Sequence, residues 1–173
     1  KYARVISYDI RGHGKSKSEA NETFEFEDIL TILQKEEINE KIHLVGCSLG
    51  AIIALDFAIA HPEKIENLVL VSPGLIGFQE KDPTYLQQVT AYVQTIQVGD
   101  KEGMKLALKK MNAIGKEDRK LKAEIDIYVD EKLTAFIENG SHLRIPKIKE
   151  VAPLTQLTQL TQVDIPSLIM YGA

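Results

Sequence analysis

His43-Leu44-Val45-Gly46-Cys47-Ser48-Leu49-Gly50-Ala51-Ile52-Ile53-Ala54-Leu55 runs from a short apolar stretch, through Gly46-Cys47-Ser48-Leu49-Gly50, into a second and longer apolar stretch. A serine with glycine two residues away on each side predicts a strand-to-helix turn too tight for larger side chains. Glycine also tolerates the unusual backbone angles such a turn needs. Ser48 would then stand clear of the sheet, its hydroxyl exposed at the start of a helix. The five-residue pattern recurs by chance, and a small residue at an ordinary strand–helix joint would read the same way. Its position between a strand-like and a helix-like run is what gives it weight.

Residues 41–45 read as the strand entering the turn. Residues 49–60 are apolar almost all round apart from Asp56, which predicts a buried helix. That helix should stop before His61-Pro62, because proline disfavours helical geometry in the residue before it. Asn67-Leu68-Val69-Leu70-Val71-Ser72 is a continuous apolar run, as in a parallel strand covered on both faces. Upstream, Arg4-Val5-Ile6-Ser7-Tyr8 is β-branched and aromatic and also reads as a buried strand. Residues 23–34 place Phe26, Ile29, Leu30 and Leu33 on one helical face, with Asn21 or Thr23 as the expected cap. Strands alternating with helices imply right-handed crossovers and an α/β layer fold.

The loop Asp9-Ile10-Arg11-Gly12-His13-Gly14-Lys15-Ser16 mimics the end of a phosphate-binding loop at Gly14-Lys15-Ser16. The first glycine of that motif would fall at Asp9, and the residues after Ser16 are polar rather than helix-forming and apolar. A nucleotide site is not expected. Asp9 and Arg11 are better read as holding the glycine turn together.

Beyond Pro73-Gly74 the periodicity becomes helical. Tyr85, Leu86, Val89, Tyr92, Val93 and Ile96 form one stripe behind Asp82-Pro83. Met104, Ala107, Leu108 and Met111 form a second behind Asp100. Leu121, Ile125, Tyr128, Val129, Leu133, Phe136 and Ile137 form a third, ended by Asn139-Gly140. The triplet Leu-Thr-Gln, spaced at Leu154, Leu157 and Leu160, fits one more helical segment. Strand character returns at Ile165-Pro166-Ser167-Leu168-Ile169-Met170-Tyr171. The expected organisation is a core over residues 1–74, a helical cap over 75–163, and a returning core strand over 164–173.

The chain has 173 residues, enough for one domain with a sizeable core. Its net charge is −4 with no lysine–arginine block, which argues against nucleic acid or an anionic membrane as a partner. No run approaches the roughly 18 apolar residues of a membrane span. Cys47 is the single cysteine, so an internal disulfide is excluded and no metal cluster or other cofactor is expected. A reducing, cytoplasmic location is the corresponding expectation. The chain begins at Lys1 without methionine and stops at Ala173 after an apolar run, so both ends read as cut.

Three separated features resemble the α/β-hydrolase family, in particular its cap-bearing esterase, lactonase and haloperoxidase-like members. They are Asp9-x-Arg11-Gly12-x-Gly14-x-Ser16 after a strand, Gly46-Cys47-Ser48-Leu49-Gly50 between strand and helix, and Ile165-Pro166-x-Leu168-Ile169-x-Tyr171-Gly172 after the helical insert. His61-Pro62-Glu63-Lys64-Ile65 leading into residues 68–71 adds to the likeness. The resemblance implies a three-layer fold with a mostly parallel sheet, a cap inserted between two strands, and Gly46 to Gly50 as a nucleophile elbow. It implies Ser48 as the nucleophile, the Leu49 N–H as an oxyanion donor, and an acyl-enzyme formed on a small substrate with an apolar tail. The acid and the histidine would lie beyond Ala173, and the second oxyanion donor before Lys1. An inner strand would then insert between residues 4–8 and 41–45. Of the histidines, His13, His43, His61 and His142 none follows the late strand, and each reads as structural or solvated. Cys47, one position from the serine, reads as a small buried hydrophobe. Other functions the resemblance admits are a catalytically silent ligand-binding protein and an acyltransferase or haloperoxidase-type enzyme.

Overall fold

The computed structural model describes residues 3–11, 13–16, 26–74, 81–111 and 163–171, with isolated positions at 123, 127, 130, 131, 133–135, 137, 138, 159 and 161. The chain forms two compact units, Lys1–Ala20 with Glu80–Lys147, and Asn21–Gln79 with Ile148–Ala173.

The second of these contains the sheet. Helix α1 (Glu27–Lys35) buries Ile29 and Leu33 and half-buries Phe26 and Leu30, the face set by their spacing. It starts at Glu27 with Phe26 at the N-cap and no side-chain cap, and the expected caps Asn21 and Thr23 lie outside the described residues. Strand β1 (Ile42–Cys47) leads into α2 (Leu49–Ala60), and β2 (Ile65–Val71) follows a single 3₁₀ turn at Pro62–Lys64. Helix α2 has the bounds its composition predicts and buries Ala51, Ile53, Ala54, Leu55, Phe57 and Ala58. The His61 N–H closes its last turn on the Phe57 carbonyl at 2.8 Å, and Pro62 then has no N–H to continue the ladder.

Strands β1 and β2 pair in parallel, with Leu44 opposite Leu68 and Cys47 opposite Val71. The late strand β3 (Ser167–Met170) joins the other edge of β2, also in parallel, with Leu68 opposite Ser167 and Val71 opposite Met170. A segment some ninety residues away in the chain thus completes the same ladder, as its return to apolar residues predicts. Helix α2 packs on β1 and β2.

Coverage differs from strand to strand. In β1 the residues of one face, Ile42, Leu44 and Gly46, are half-buried or buried, whereas His43, Val45 and Cys47 on the other are exposed. Leu168, Ile169 and Met170 of β3 are exposed as well. In β2, the run expected to be covered on both faces, Leu68 and Leu70 are buried and Asn67, Val69 and Val71 half-buried, so no position from 67 to 71 is exposed.

In the other unit, residues 4–8 form no strand, and Val5 is 86% exposed. β-Branched and aromatic residues favour a pleated surface but create no strand without a neighbouring ladder, and no described strand pairs with this stretch. Helix α3 (Pro83–Gln97) starts as predicted, Asp82 Oδ1 accepting the Thr84 N–H at 2.8 Å with Pro83 in the first turn. Helix α4 (Lys101–Met111) packs against it and buries Met104, and Asp100 Oδ1 accepts the Gly103 N–H at 2.9 Å. Burial holds the Tyr92 phenol on α3 above its ordinary pKa. Lys109 pairs with Asp130 at 2.7 Å, and this hydrogen bond and charge hold the Asp130 carboxyl below its usual range. Of the third predicted stripe, Leu133 and Ile137 are described and helical, with Ile137 buried, and its remaining members lie outside the described residues. The triplet leucines Leu154, Leu157 and Leu160 lie outside them too.

Phe57 is fully buried and Val45 is 64% exposed, so two large-to-small changes should separate sharply. Phe57→Ala is expected to cost about 3–5 kcal/mol in chemical denaturation of the 173-residue chain, and Val45 is compared in the same chain. Val45→Ala should cost under about 1 kcal/mol. Equal costs would contradict the placing of the core under α2.

Candidate active site

The turn between β1 and α2 is as tight as its glycines predict, but the two glycines do not contribute equally. Gly46 is buried, and a Cβ there would overlap the Gly50 carbonyl and stand 2.7 Å from the Ala51 Cα. Only a residue without a side chain lets the first turn of α2 come down on the end of β1. A Cβ on Gly50 would meet nothing within 4 Å, and Gly50 has no positive φ. The expectation that both glycines are sterically required is therefore corrected. Gly50 contributes its carbonyl to the close approach, which any residue could supply.

Ser48 sits between them at φ 51°, ψ −115°, outside the broad regions open to L-residues. Such a conformation costs on the order of 1–3 kcal/mol and persists only where its surroundings hold it. The surroundings are visible. The Ser48 N–H donates to the Val71 carbonyl of β2 at 3.0 Å, and the Ser48 carbonyl accepts from Ala51 at 3.0 Å and Ile52 at 3.2 Å. Ser48 is thus the last residue of the sheet ladder and the N-cap of the helix at once. Its side chain makes no capping bond and is exposed.

Leu49 is the first residue of α2, so its N–H has no carbonyl one turn earlier to receive it. The unsatisfied amides and the helix dipole make this end favourable for negative charge. An exposed hydroxyl beside an unpaired N–H at a helix N-terminus can present a nucleophile and receive an oxyanion. Ser48, Leu49, Gly46 and Gly50 are therefore brought together as their spacing predicts.

Cys47 is exposed rather than buried. It ends β1 on the same bare face as His43 and Val45, and strand alternation rather than residue type decides its environment.

The histidines of the sheet unit stand away from Ser48. His43 Nδ1 lies 2.8 Å from the Asn67 side-chain nitrogen near the start of the β1–β2 pair, about 16 Å along the strand from Ser48. His61 closes the far end of α2, about 18 Å along the helix, its ring tilted against Phe57 at 5.2 Å and its Nδ1 3.6 Å from a Glu63 carboxylate oxygen. In the other unit, Asp9 organises the glycine turn: its carboxylate accepts the Lys15 N–H at 2.9 Å and its carbonyl the Ser16 hydroxyl at 2.7 Å. Gly14 turns there at φ 50°, and His13 Nδ1 lies 3.1 Å from the Arg11 carbonyl. His142 lies outside the described residues. Among the described residues no three His, Cys, Asp or Glu side chains cluster as a metal site, and no helix is long and apolar enough to cross a membrane.

A family model described as alpha/beta hydrolase fold matches residues 2–173. The chain belongs to the α/β-hydrolase fold family. It is 37% identical over 101 residues to the abhydrolase domain-containing protein abhd-5.2 of Caenorhabditis elegans, a match covering 55% of this chain and 22% of that protein. It is 32% identical over 74 residues to the "Probable lysophospholipase BODYGUARD 1" of Arabidopsis thaliana, covering 40% of this chain and 16% of that one. The fold matches the crystal structure of a hydrolase from Pseudomonas aeruginosa with a TM-score of 0.61 and 22% identity, over 96% of this chain and 60% of that one. The chain thus spans less than a quarter of these two curated relatives and about three fifths of the solved structure.

The unequal roles of the glycines predict unequal substitutions. Gly46→Ala should destabilise by several kcal/mol or prevent folding, because the obstacle is backbone (about 1–3 kcal/mol for modest overpacking, more here). Gly50→Ala should be neutral or stabilising by up to about 1 kcal/mol, since alanine is the better helix former. Denaturation midpoints of the two variants check this, and a Gly50→Ala loss as large as that of Gly46→Ala would refute it.

Proposed function

We propose that this protein is a serine hydrolase that cleaves a carboxylic ester or a related small carbonyl substrate through an acyl-enzyme on Ser48. The observation that carries the reading is the backbone of Ser48, held at φ 51° at the head of α2 with its hydroxyl exposed. Strain of this kind is retained where it positions a functional group. In the proposed reaction the Ser48 Oγ attacks the carbonyl carbon while a base takes the hydroxyl proton. The carbonyl oxygen, now negative, is received by the Leu49 N–H, and loss of one such donor typically costs about 10²–10³ in rate. The alkoxide leaves with the proton returned by the base, and water then hydrolyses the acyl-serine by the same steps.

A free serine hydroxyl is too weakly acidic to attack unaided, so a base is required. His43 and His61 are directed elsewhere by their partners. The histidine and its acid are assigned to the protein beyond Ala173, and the second oxyanion donor to the segment before Lys1. A relative named as a lysophospholipase supports an acyl substrate with an apolar tail.

A fluorophosphonate probe applied to the full-length protein should label the wild type and not Ser48→Ala. Both should have the same denaturation midpoint within about 0.5 kcal/mol of stability, Ser48 being exposed. An unlabelled wild type, or equal labelling of the variant, would show that Ser48 is not the nucleophile.

A further inference from the structure

Ser72, the residue after β2, shares three features with Ser48. It has a positive φ, 44°, and besides Ser48 and Ser72 only Glu37 does so among the described non-glycine residues. Its N–H is tied to the next strand, donating to the Met170 carbonyl at 2.7 Å, as the Ser48 N–H is tied to Val71. It is exposed, and its hydroxyl has no hydrogen-bond partner among the described residues. Cys47 lies opposite Val71, so Ser48 and Ser72 leave neighbouring parallel strands at the same level, with the strands about 4.8 Å apart. Nothing in the pattern of the chain singles Ser72 out. The signal is its backbone conformation, which only a structure shows.

Glycine would accept this conformation freely, whereas a side chain there adds strain. Serine is also not among the residues, such as asparagine and aspartate, that enter the left-handed region most readily. Ligands of open parallel sheets bind outside the carboxyl ends of the strands, where both hydroxyls stand. A strand spacing separates the two residues, so a donor on Ser72 reaches atoms one or two bonds from a carbonyl carbon held at Ser48.

We propose that Ser72 is a substrate-contacting residue whose hydroxyl donates to an oxygen on the acyl side of the substrate, one or two bonds from the carbonyl under attack. This rests on the reading of Ser48 as nucleophile. The substrate class is thereby narrowed from simple alkyl esters to acyl groups bearing an ether, hydroxyl or keto oxygen near the scissile carbonyl.

The test uses full-length protein and two p-nitrophenyl esters of nearly equal shape, the methoxyacetate and the butyrate, which differ by an oxygen in place of a methylene. Nitrophenolate release reads acylation even where turnover is slow. Comparing each ester across variants cancels their different intrinsic reactivities. Ser72→Gly, which relieves the backbone and deletes the hydroxyl, should lower kcat/KM for the methoxyacetate about three- to tenfold, the scale of one neutral hydrogen bond. The butyrate should stay within about twofold, being unable to accept that bond. Ser72→Asn, which tolerates the conformation and keeps a donor, should restore the preference. Equal loss on both esters, no loss on either, or release from neither would overturn the proposal. Fluorophosphonate labelling run in parallel separates the two failures. A wild type unlabelled at Ser48 removes the hydrolase reading and this one with it, whereas normal labelling with an unchanged ester ratio removes only the role of Ser72.

Discussion

The close approach of the Gly50 carbonyl to Gly46 is the constraint on which the rest of the sheet unit depends. It lets α2 begin two residues after the last residue of β1, with Ser48 alone between strand and helix. Ser48 must then satisfy both, its N–H completing the ladder to Val71 and its carbonyl opening the helix to Ala51 and Ile52. No ordinary conformation does this, and φ 51° is the result. Exposure of the hydroxyl and the unpaired Leu49 N–H follow from the same geometry.

Strain of about 1–3 kcal/mol at Ser48 needs an offset. Helix α2 supplies it, because Ile53, Leu55 and Phe57 are each buried and each such side chain contributes about 1.5–3 kcal/mol. The parallel pairing of β2 with both β1 and β3 keeps the strand ends level. This level edge brings Ser72 beside Ser48, although the two are 24 positions apart. A second positive φ at that edge is a local cost met by the same buried helix.

Much of this was readable from residue pattern alone, for identifiable reasons. Helix α2 has the predicted bounds because its limits are chemical, a glycine-flanked serine at one end and His61-Pro62 at the other. The starts of α3 and α4 were legible because Asp82 and Asp100 cap them locally. What depended on neighbours far along the chain was not legible. Residues 4–8 have strand composition but no described ladder partner, and the bare face of β1 places Cys47 in the open. The site divides in the same way. Ser48 and Gly46 followed from spacing, whereas the freedom at Gly50 and the conformation of Ser72 depend on atomic positions that no spacing encodes.

In the proposed reaction one turn supplies both the attacking oxygen and an oxyanion donor. The most direct measurement is a crystal structure of the full-length protein after reaction with diethyl p-nitrophenyl phosphate. Phosphorus is expected bonded to the Ser48 Oγ, with a phosphoryl oxygen about 2.7–3.1 Å from the Leu49 nitrogen. An adduct on another residue, or a phosphoryl oxygen turned away from Leu49, would contradict the proposed reaction.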